Sequence, residues 1–147
     1  MSDKPDFVWE NLKVGMTIGE RSLTVTQAMV DAHCEAVGAR REWYRGESPA
    51  GGAIAPPMIF INDLLAIYDA NYKRFGTIHA KLGYRFHRPV RVGETVHQKV
   101  TVTDLYVKRE KGWIVSELSV TNEAGELLLT SAHTSVLSLT RRHEDDD

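Results

Sequence analysis

The sequence predicts an α+β fold in which a curled antiparallel sheet is wrapped around one long central helix. Three observations carry that expectation. The stretch Ala55 to Gly76, APPMIFINDLLAIYDANYKRFG, places Met58, Ile61, Leu65, Tyr68 and Tyr72 at steps of three and four, and Phe60, Leu64 and Ile67 extend the stripe around most of the circumference. Beyond Gly76 the period changes, and about sixty residues read as strand. That strand-rich part is punctuated by REKG at Arg109 to Gly112, where the chain reverses, and by the hairpin signal NEAG at Asn122 to Gly125. A rod that wants burial on nearly every side and a sheet with an apolar face satisfy each other when one surrounds the other.

In chain order, residues 7 to 15 read as a loop ending at Gly15, and Met16 to Val25 alternates Ile18, Leu23 and Val25 as a first strand. Thr26 is a good N-cap, Gln27 to Val37 follows in helical order, and Gly38 supplies the stop. The next stretch, Ala39 to Ala55, contains Gly46, Pro49, Gly51 and Gly52 and exceeds an ordinary connector. A long loop directly before a buried helix is where a site would sit. The central helix opens at Pro57, where a missing N–H costs nothing, and ends at Gly76 after about five turns. Its polar line is Asn62, Asp69 and Lys73, with Asp63 beside it. Ile78 to Arg88 alternates Leu82, Tyr84 and Phe86 against Lys81, Arg85 and His87, and Pro89 ends the run. RPVRVGE is a bend, and Thr95 to Lys108, Trp113 to Thr121 and Leu127 to Leu139 complete four long antiparallel strands.

The chain has 147 residues, 42% of them hydrophobic, so residues 1–140 are expected to form a single domain with a core large enough to need no staple. Residues 141–147, RRHEDDD, read as a disordered charged tail. A net charge of −2 provides no basic field for nucleic acid, and no apolar window of about 18 residues is available to span a membrane. The opening MSDKPDF lacks the basic-then-apolar pattern of a signal peptide, and the single Cys34 cannot form an internal disulfide, so the expected compartment is cytoplasmic.

The pieces VGARREWY, IAPPMIF and above all YRFHRPVRVGETV, followed by two hairpin strands, resemble the MaoC-like branch of the hot-dog fold from Thr17 to Leu139. The resemblance implies a lineage of (R)-specific enoyl-CoA hydratases and 3-hydroxyacyl dehydratases, with an acyl-CoA or acyl-carrier thioester as ligand and no other cofactor. It also implies pairing with a second hot-dog subunit, as a homodimer or a heterodimer. The loop and the APP motif are most like the N-terminal, non-catalytic half of two-domain or two-subunit dehydratases. Catalytic members of that family carry G-D-x-N-P-x-H after the small helix and a His-Gly pair at the start of the central helix, whose glycine amide polarises the thioester carbonyl. With Gly38 laid on the first glycine, Ala39 stands at the Asp and Tyr44 at the His, while Pro56 and Pro57 stand at the His-Gly pair. No Asp and no His lies between Gly38 and Pro57. The resemblance therefore implies an acyl-thioester protein that lacks the usual dyad and acts beside a catalytic partner.

Two residues remain as candidates for chemistry. Asp63 lies early in the greasy helix, where an acidic residue serves hot-dog thioesterases as base or nucleophile; its plainer and favoured reading is a solvated or dimer-edge carboxylate. His79 follows the helix and either faces a ligand or sits hydrogen-bonded at the surface. A stand-alone divergent dehydratase or thioesterase would use one of them, and a non-catalytic ligand-binding module would use neither. Ile54, Met58, Ile59, Tyr84 and Phe86 would give an acyl chain an apolar wall, with Tyr44 covering it or pinning the loop. Arg88, among Arg40, Arg41, Arg45, Arg85 and Arg91, is placed either to grip coenzyme A or carrier phosphates or to keep the surface soluble. His33, Cys34 and Glu35 are adjacent in sequence and lack the spacing that brings zinc ligands to one point, so no metal is expected.

Overall fold

The structure, a computed structural model, describes residues 3–139; the charged tail expected at 141–147 lies outside the described residues. Strands β1 (Thr17–Thr24), β2 (Ile78–Phe86), β3 (Thr95–Lys108), β4 (Lys111–Asn122) and β5 (Leu127–Ser138) form one antiparallel sheet in the order β1-β3-β4-β5-β2. Helices α1 (Gln27–Val37) and α2 (Asp63–Asn71) come between β1 and β2 in the chain. Short 3-10 turns occupy Trp9–Asn11 and Glu42–Tyr44. No described helix is long and apolar enough to cross a membrane.

Local chemistry sets several of these boundaries. The Thr26 hydroxyl accepts the Met29 N–H at 3.2 Å, closing the start of α1. At its other end Gly38 adopts φ 72, the left-handed conformation that terminates a helix without a Cβ penalty. Between β3 and β4 the chain reverses at Arg109 and Glu110, both at positive φ, a pair whose handedness matches the twist of the flanking strands. Between β4 and β5 the Asn122 carbonyl accepts the Gly125 N–H and its side chain accepts the Glu126 N–H, so NEAG forms the expected hairpin.

The long central helix and its curled wrapping are not what the chain builds. Helix α2 has nine residues, and the sheet is open, with β1 and β2 as its two free margins. Pro56 and Pro57 are followed by tight turns in which Ile59 donates to Pro56, Ile61 to Met58 and Asp63 to Phe60, each three residues back. Asn62, at φ −96 and ψ −3, gives way to helix only at Asp63. The C-terminal end is taken by a tertiary competitor. Tyr72 is extended, and Lys73 donates its N–H to Pro5 O at 2.9 Å while its carbonyl accepts from Phe7 N at 2.8 Å. The same backbone groups cannot also continue a helix, so Gly76 is not its stop.

One face of the sheet buries Val96, Val100 and Val102 of β3, Leu118 and Val120 of β4 and Leu129 of β5 against Phe60, Leu64, Ile67 and Tyr68. Phe7 adds an edge-on ring contact to Tyr68 at 5.1 Å. The Tyr68 and Ser116 hydroxyls share a buried hydrogen bond, which satisfies both inside an apolar layer, and burial pushes the phenol up to about 12. Helix α2 lies over the β1 side of this face. A Cβ at Gly19 would collide with the Asn71 amide, and Ile67 is the next nearest side chain. The β2 side is left open. Leu82, Tyr84 and Phe86 do share the helix-side face, opposite His133, Ser131 and Leu129 of β5, yet Leu82 is 39% and Phe86 49% exposed.

Candidate functional site

The start of α2 sits over β1 and β3, where Asp63 meets the side chains of Arg21 and Gln98. Asp63 is the first residue of that helix, where the aligned peptide dipoles favour a negative charge. Its Oδ2 accepts the Gln98 Nε2–H at 2.7 Å and forms an ion pair with an Arg21 guanidinium nitrogen at 3.2 Å. Arg21 Nε in turn donates to Gln98 Oε1 at 2.9 Å, so the three side chains form a closed network. Gln98 and Arg21 are direct cross-strand partners on β3 and β1. Gln98 is fully buried, whereas the Arg21 side chain stays 40% exposed and that of Asp63 19%. Both functions of the buried amide are therefore used inside the network.

On the open β2 side of the sheet, Tyr84 is half-buried and hydrogen-bonds Ser131, and its ring stacks on Phe86 with centroids 5.5 Å apart. Burial raises the Tyr84 phenol, opposed by the Ser131 bond and reinforced by the charge of Asp63. Asp63 meets the sheet at β1 and β3, whereas Tyr84 and Phe86 lie on β2 at its other margin. His79 lies on β2 as well. Its Nε2 lies 3.1 Å from Lys81 O, and its ring stacks on His133 of β5 at 4.2 Å. No hydrogen bond or ion pair joins His79 to Asp63 among the described residues.

The remaining sequence-predicted residues divide in the same way. Ile54 is buried; its N–H donates to Trp43 O at 2.9 Å, tying the long loop to itself, and it bridges to Arg91. Tyr44 packs against the core, and its carbonyl accepts the Gln27 Nε2–H at 2.7 Å, which fixes the loop to α1. Met58 and Ile59 sit half-buried in the turns before α2, with Ile59 against the core. Arg88 points its guanidinium at Glu94 and at Glu126, the latter at 3.2 Å, and also donates to Pro89 O at 2.9 Å. The Glu94 hydrogen bond raises Arg88 above its ordinary value, so this cation braces the bend against the β4–β5 hairpin. Arg40 and Arg45 instead line an open hollow of about 660 Å³ with Gln27, Asp31, Cys34 and Glu35. Ala39 also borders it and offers no acid or base. No three His, Cys, Asp or Glu side chains converge as a metal site among the described residues.

Two members of the Asp63 network escape a reading of the sequence, although one of them leaves a trace there. In β3 the inward positions run Val96, Gln98, Val100, Val102, and a lone amide in that alternation marks a polar group that needs partners. Arg21 leaves none, because it meets Gln98 from 77 positions away in the chain.

The family described as FAS1-like, dehydratase domain region matches residues 13–131. Among curated proteins none matches the chain. Among solved structures, the monoamine oxidase regulatory protein from Archaeoglobus superposes with a TM-score of 0.81 at 21% identity, covering 96% of this chain and all of that one (100%). The R-hydratase PhaJ1 from Pseudomonas aeruginosa gives a TM-score of 0.74 at 18% identity, covering 92% of this chain and 88% of its own. The HadBC complex of Mycobacterium tuberculosis, a 3R-hydroxyacyl-ACP dehydratase, gives 0.74 at 17% identity, covering 87% of this chain and 99% of the matched one. These identities support a shared fold.

Proposed function

Because this chain belongs to the FAS1-like dehydratase-region family, among the MaoC-like hydratases and dehydratases of the hot-dog fold, we propose that it binds an acyl thioester of coenzyme A or an acyl carrier and works beside a catalytic hot-dog subunit. The observation that carries this reading is the chemistry of the loop after α1 and of the turn before α2. Ala39 and Tyr44 stand where the family's Asp and His would act on water, and Tyr44 is tied to Gln27 through its backbone. Pro56 and Pro57 stand where a glycine amide would meet the thioester oxygen, and a proline nitrogen carries no hydrogen to donate. Removing an acid, a base and an oxyanion donor together leaves binding without the hydration step. HadBC is itself a complex, and the same kind of pairing fits this chain.

The purified chain alone is expected to hydrate crotonyl-CoA no faster than buffer. The same chain mixed with a hot-dog subunit that carries the Asp and His is expected to show turnover, followed by loss of absorbance at the enoyl thioester band. Solitary turnover at an ordinary enzymatic rate would remove this reading.

The open β2 face supplies the place for that partner. Leu82 and Phe86 lie on a margin strand whose backbone edge is unpaired within the sheet, and such an edge invites pairing with another chain. Leu82→Lys is expected to abolish co-elution of this chain with a hot-dog subunit that carries the Asp and His in gel filtration coupled to light scattering. A variant that still co-elutes with that subunit would refute the role of this face.

A second reading is favoured by Asp63 itself. A carboxylate braced by Arg21 and Gln98 and still partly exposed can activate water in a thioesterase or a divergent dehydratase. In that case the lone chain would release coenzyme A from an acyl thioester, and Asp63→Asn would abolish the release.

A further inference from the structure

On the face of the sheet turned away from α2, one imidazole is engaged at both of its nitrogens. Arg21 and Leu23 point to the helix side with their cross-strand partners Gln98 and Val96. Glu20, Ser22 and Thr24 of β1 therefore share the other side with Thr95, His97 and Lys99 of β3. There the Ser22 hydroxyl lies 3.2 Å from His97 Nδ1, and His97 Nε2 lies 3.1 Å from Glu20 Oε2. The register sets Ser22 directly opposite His97 but Glu20 opposite Lys99. The carboxylate reaches diagonally to the ring and forms no ion pair with the lysine it faces.

The role of each group follows from its chemistry. An ionised carboxylate only accepts, so Nε2 carries the hydrogen that meets Glu20. Nδ1 is then the lone-pair nitrogen of the neutral ring, and Ser22 is the donor to it. A hydroxyl aimed at a base whose far side is oriented by a third group is the arrangement that activates a nucleophile. Two donors flank it on the same face. The Thr24 and Thr95 hydroxyls bond each other at 2.8 Å, and whichever donates, the other keeps an O–H to give. On the opposite flank the Lys99 ammonium has no carboxylate partner among the described residues. Both favour negative charge developing next to Ser22. Ser22 is exposed, and the His97 and Glu20 side chains are 45% and 55% exposed, so a small ester meets the hydroxyl directly from solvent.

We propose that Ser22, His97 and Glu20 form a reactive site in which Ser22 takes the acyl group of small activated esters. The Ser22 Oγ–H proton passes to His97 Nδ1 as Oγ bonds to the ester carbonyl carbon. The bond from that carbon to the alcohol oxygen then breaks, and the alcohol leaves with the proton from His97. Water repeats the exchange on the acyl-serine, which releases a carboxylic acid and restores Ser22. Ser22 and His97 are the catalytic residues, and Glu20 is a positioning residue that acts through His97. Asp63 lies on the opposite face of the sheet, so this inference goes beyond the acyl-thioester reading and stands without it.

The test uses the full chain with a fluorophosphonate probe and with p-nitrophenyl acetate. Peptide mass mapping is expected to find the phosphonyl group on Ser22, and the ester is expected to leave an acetyl group on the same residue. His97→Asn is expected to slow acylation at this position about a hundredfold, the lower end of what a positioned base contributes. Ser22→Ala is expected to abolish both adducts there. Glu20→Leu is expected to slow acylation about tenfold with KM unchanged, the scale of one lost hydrogen bond, and Glu20→Gln, which keeps an acceptor for the Nε2 hydrogen, to recover part of that loss. A merely structural Glu20 would move neither rate. All three side chains are exposed, and urea unfolding checks that each variant keeps native stability. Absence of both adducts from Ser22, or labelling of Ser22 at the native rate in His97→Asn, overturns the inference.

Discussion

Between pH 6.5 and pH 4 the fold is expected to lose about 2–3 kcal/mol through His133 alone. This residue is 6% exposed on β5, and its Nε2 has no hydrogen-bond partner. Burial is the main cause that pushes the imidazole down to about 4, with the stacked His79 and then Arg74 adding repulsion against a positive charge. Phe7, Leu65, Tyr68 and Thr77 share the small cavity with Arg74 and His133, and none of them offers a carboxylate. The unfolded chain takes up its proton near pH 6.5, while the folded chain resists until about pH 4. Stability is thus intact above 6.5 and drains as pH falls toward the folded value.

The carboxylates that also lose stability in acid act lower on the scale. Asp69 is held below its ordinary value by the Arg74 hydrogen bond. Glu94 is raised by burial but brought net below its ordinary value by its bonds to Arg88 and to the Arg91 amide. What these two contribute is present above pH 4 to 4.5 and disappears beneath it. Urea unfolding across pH 4 to 8 therefore isolates the imidazole. His133→Leu is expected to flatten the curve above pH 4 and to leave stability at pH 7 equal or higher, because an orphaned buried nitrogen is removed. A variant with the native slope would show that another group governs the window.

The elements legible in the sequence are those decided by neighbours in the chain. Thr26 and Gly38 bound α1 through contacts within one turn, and Asn122 and Gly125 close their hairpin through bonds spanning three or four residues. The extent of the central helix is not legible locally because its ends are set elsewhere. Periodicity from Met58 to Tyr72 is a local signal, but the competing bonds at Lys73 come from Pro5 and Phe7, nearly the whole N-terminal arm away. The site shows the same division. Asp63 is visible as a carboxylate in an apolar run, and Tyr84 and Phe86 as an alternating pair. What fixes the carboxylate arrives from two strands, and only Gln98 leaves an irregularity in its own pattern. The open β2 face is invisible to alternation, which reports that residues share a side and says nothing of whether a helix is long enough to cover it.

That difference between a continuous helix and a turn-plus-helix can be measured by two truncations next to each other. On a five-turn helix Ile61 lies on the stripe with Leu65 and Tyr68, and Phe60 extends its edge. In the folded chain the ranking is reversed, with Phe60 at 1% exposure and Ile61 at 41%. Phe60 is the apolar anchor of a segment whose backbone bonds are short turns, so its ring holds the approach to Asp63 in place. Phe60→Ala removes a fully enclosed ring and is expected to cost about 3–5 kcal/mol, or about 10–15 °C in Tm for a chain of this size. Ile61→Ala gives up contacts that water already shares and is expected to cost under about 1 kcal/mol. The ratio is the informative quantity, since both changes remove apolar volume from adjacent positions. Equal losses, or a larger loss at Ile61, would mean that the residues before Asp63 wind as helix and that a different backbone brings the carboxylate to Arg21 and Gln98.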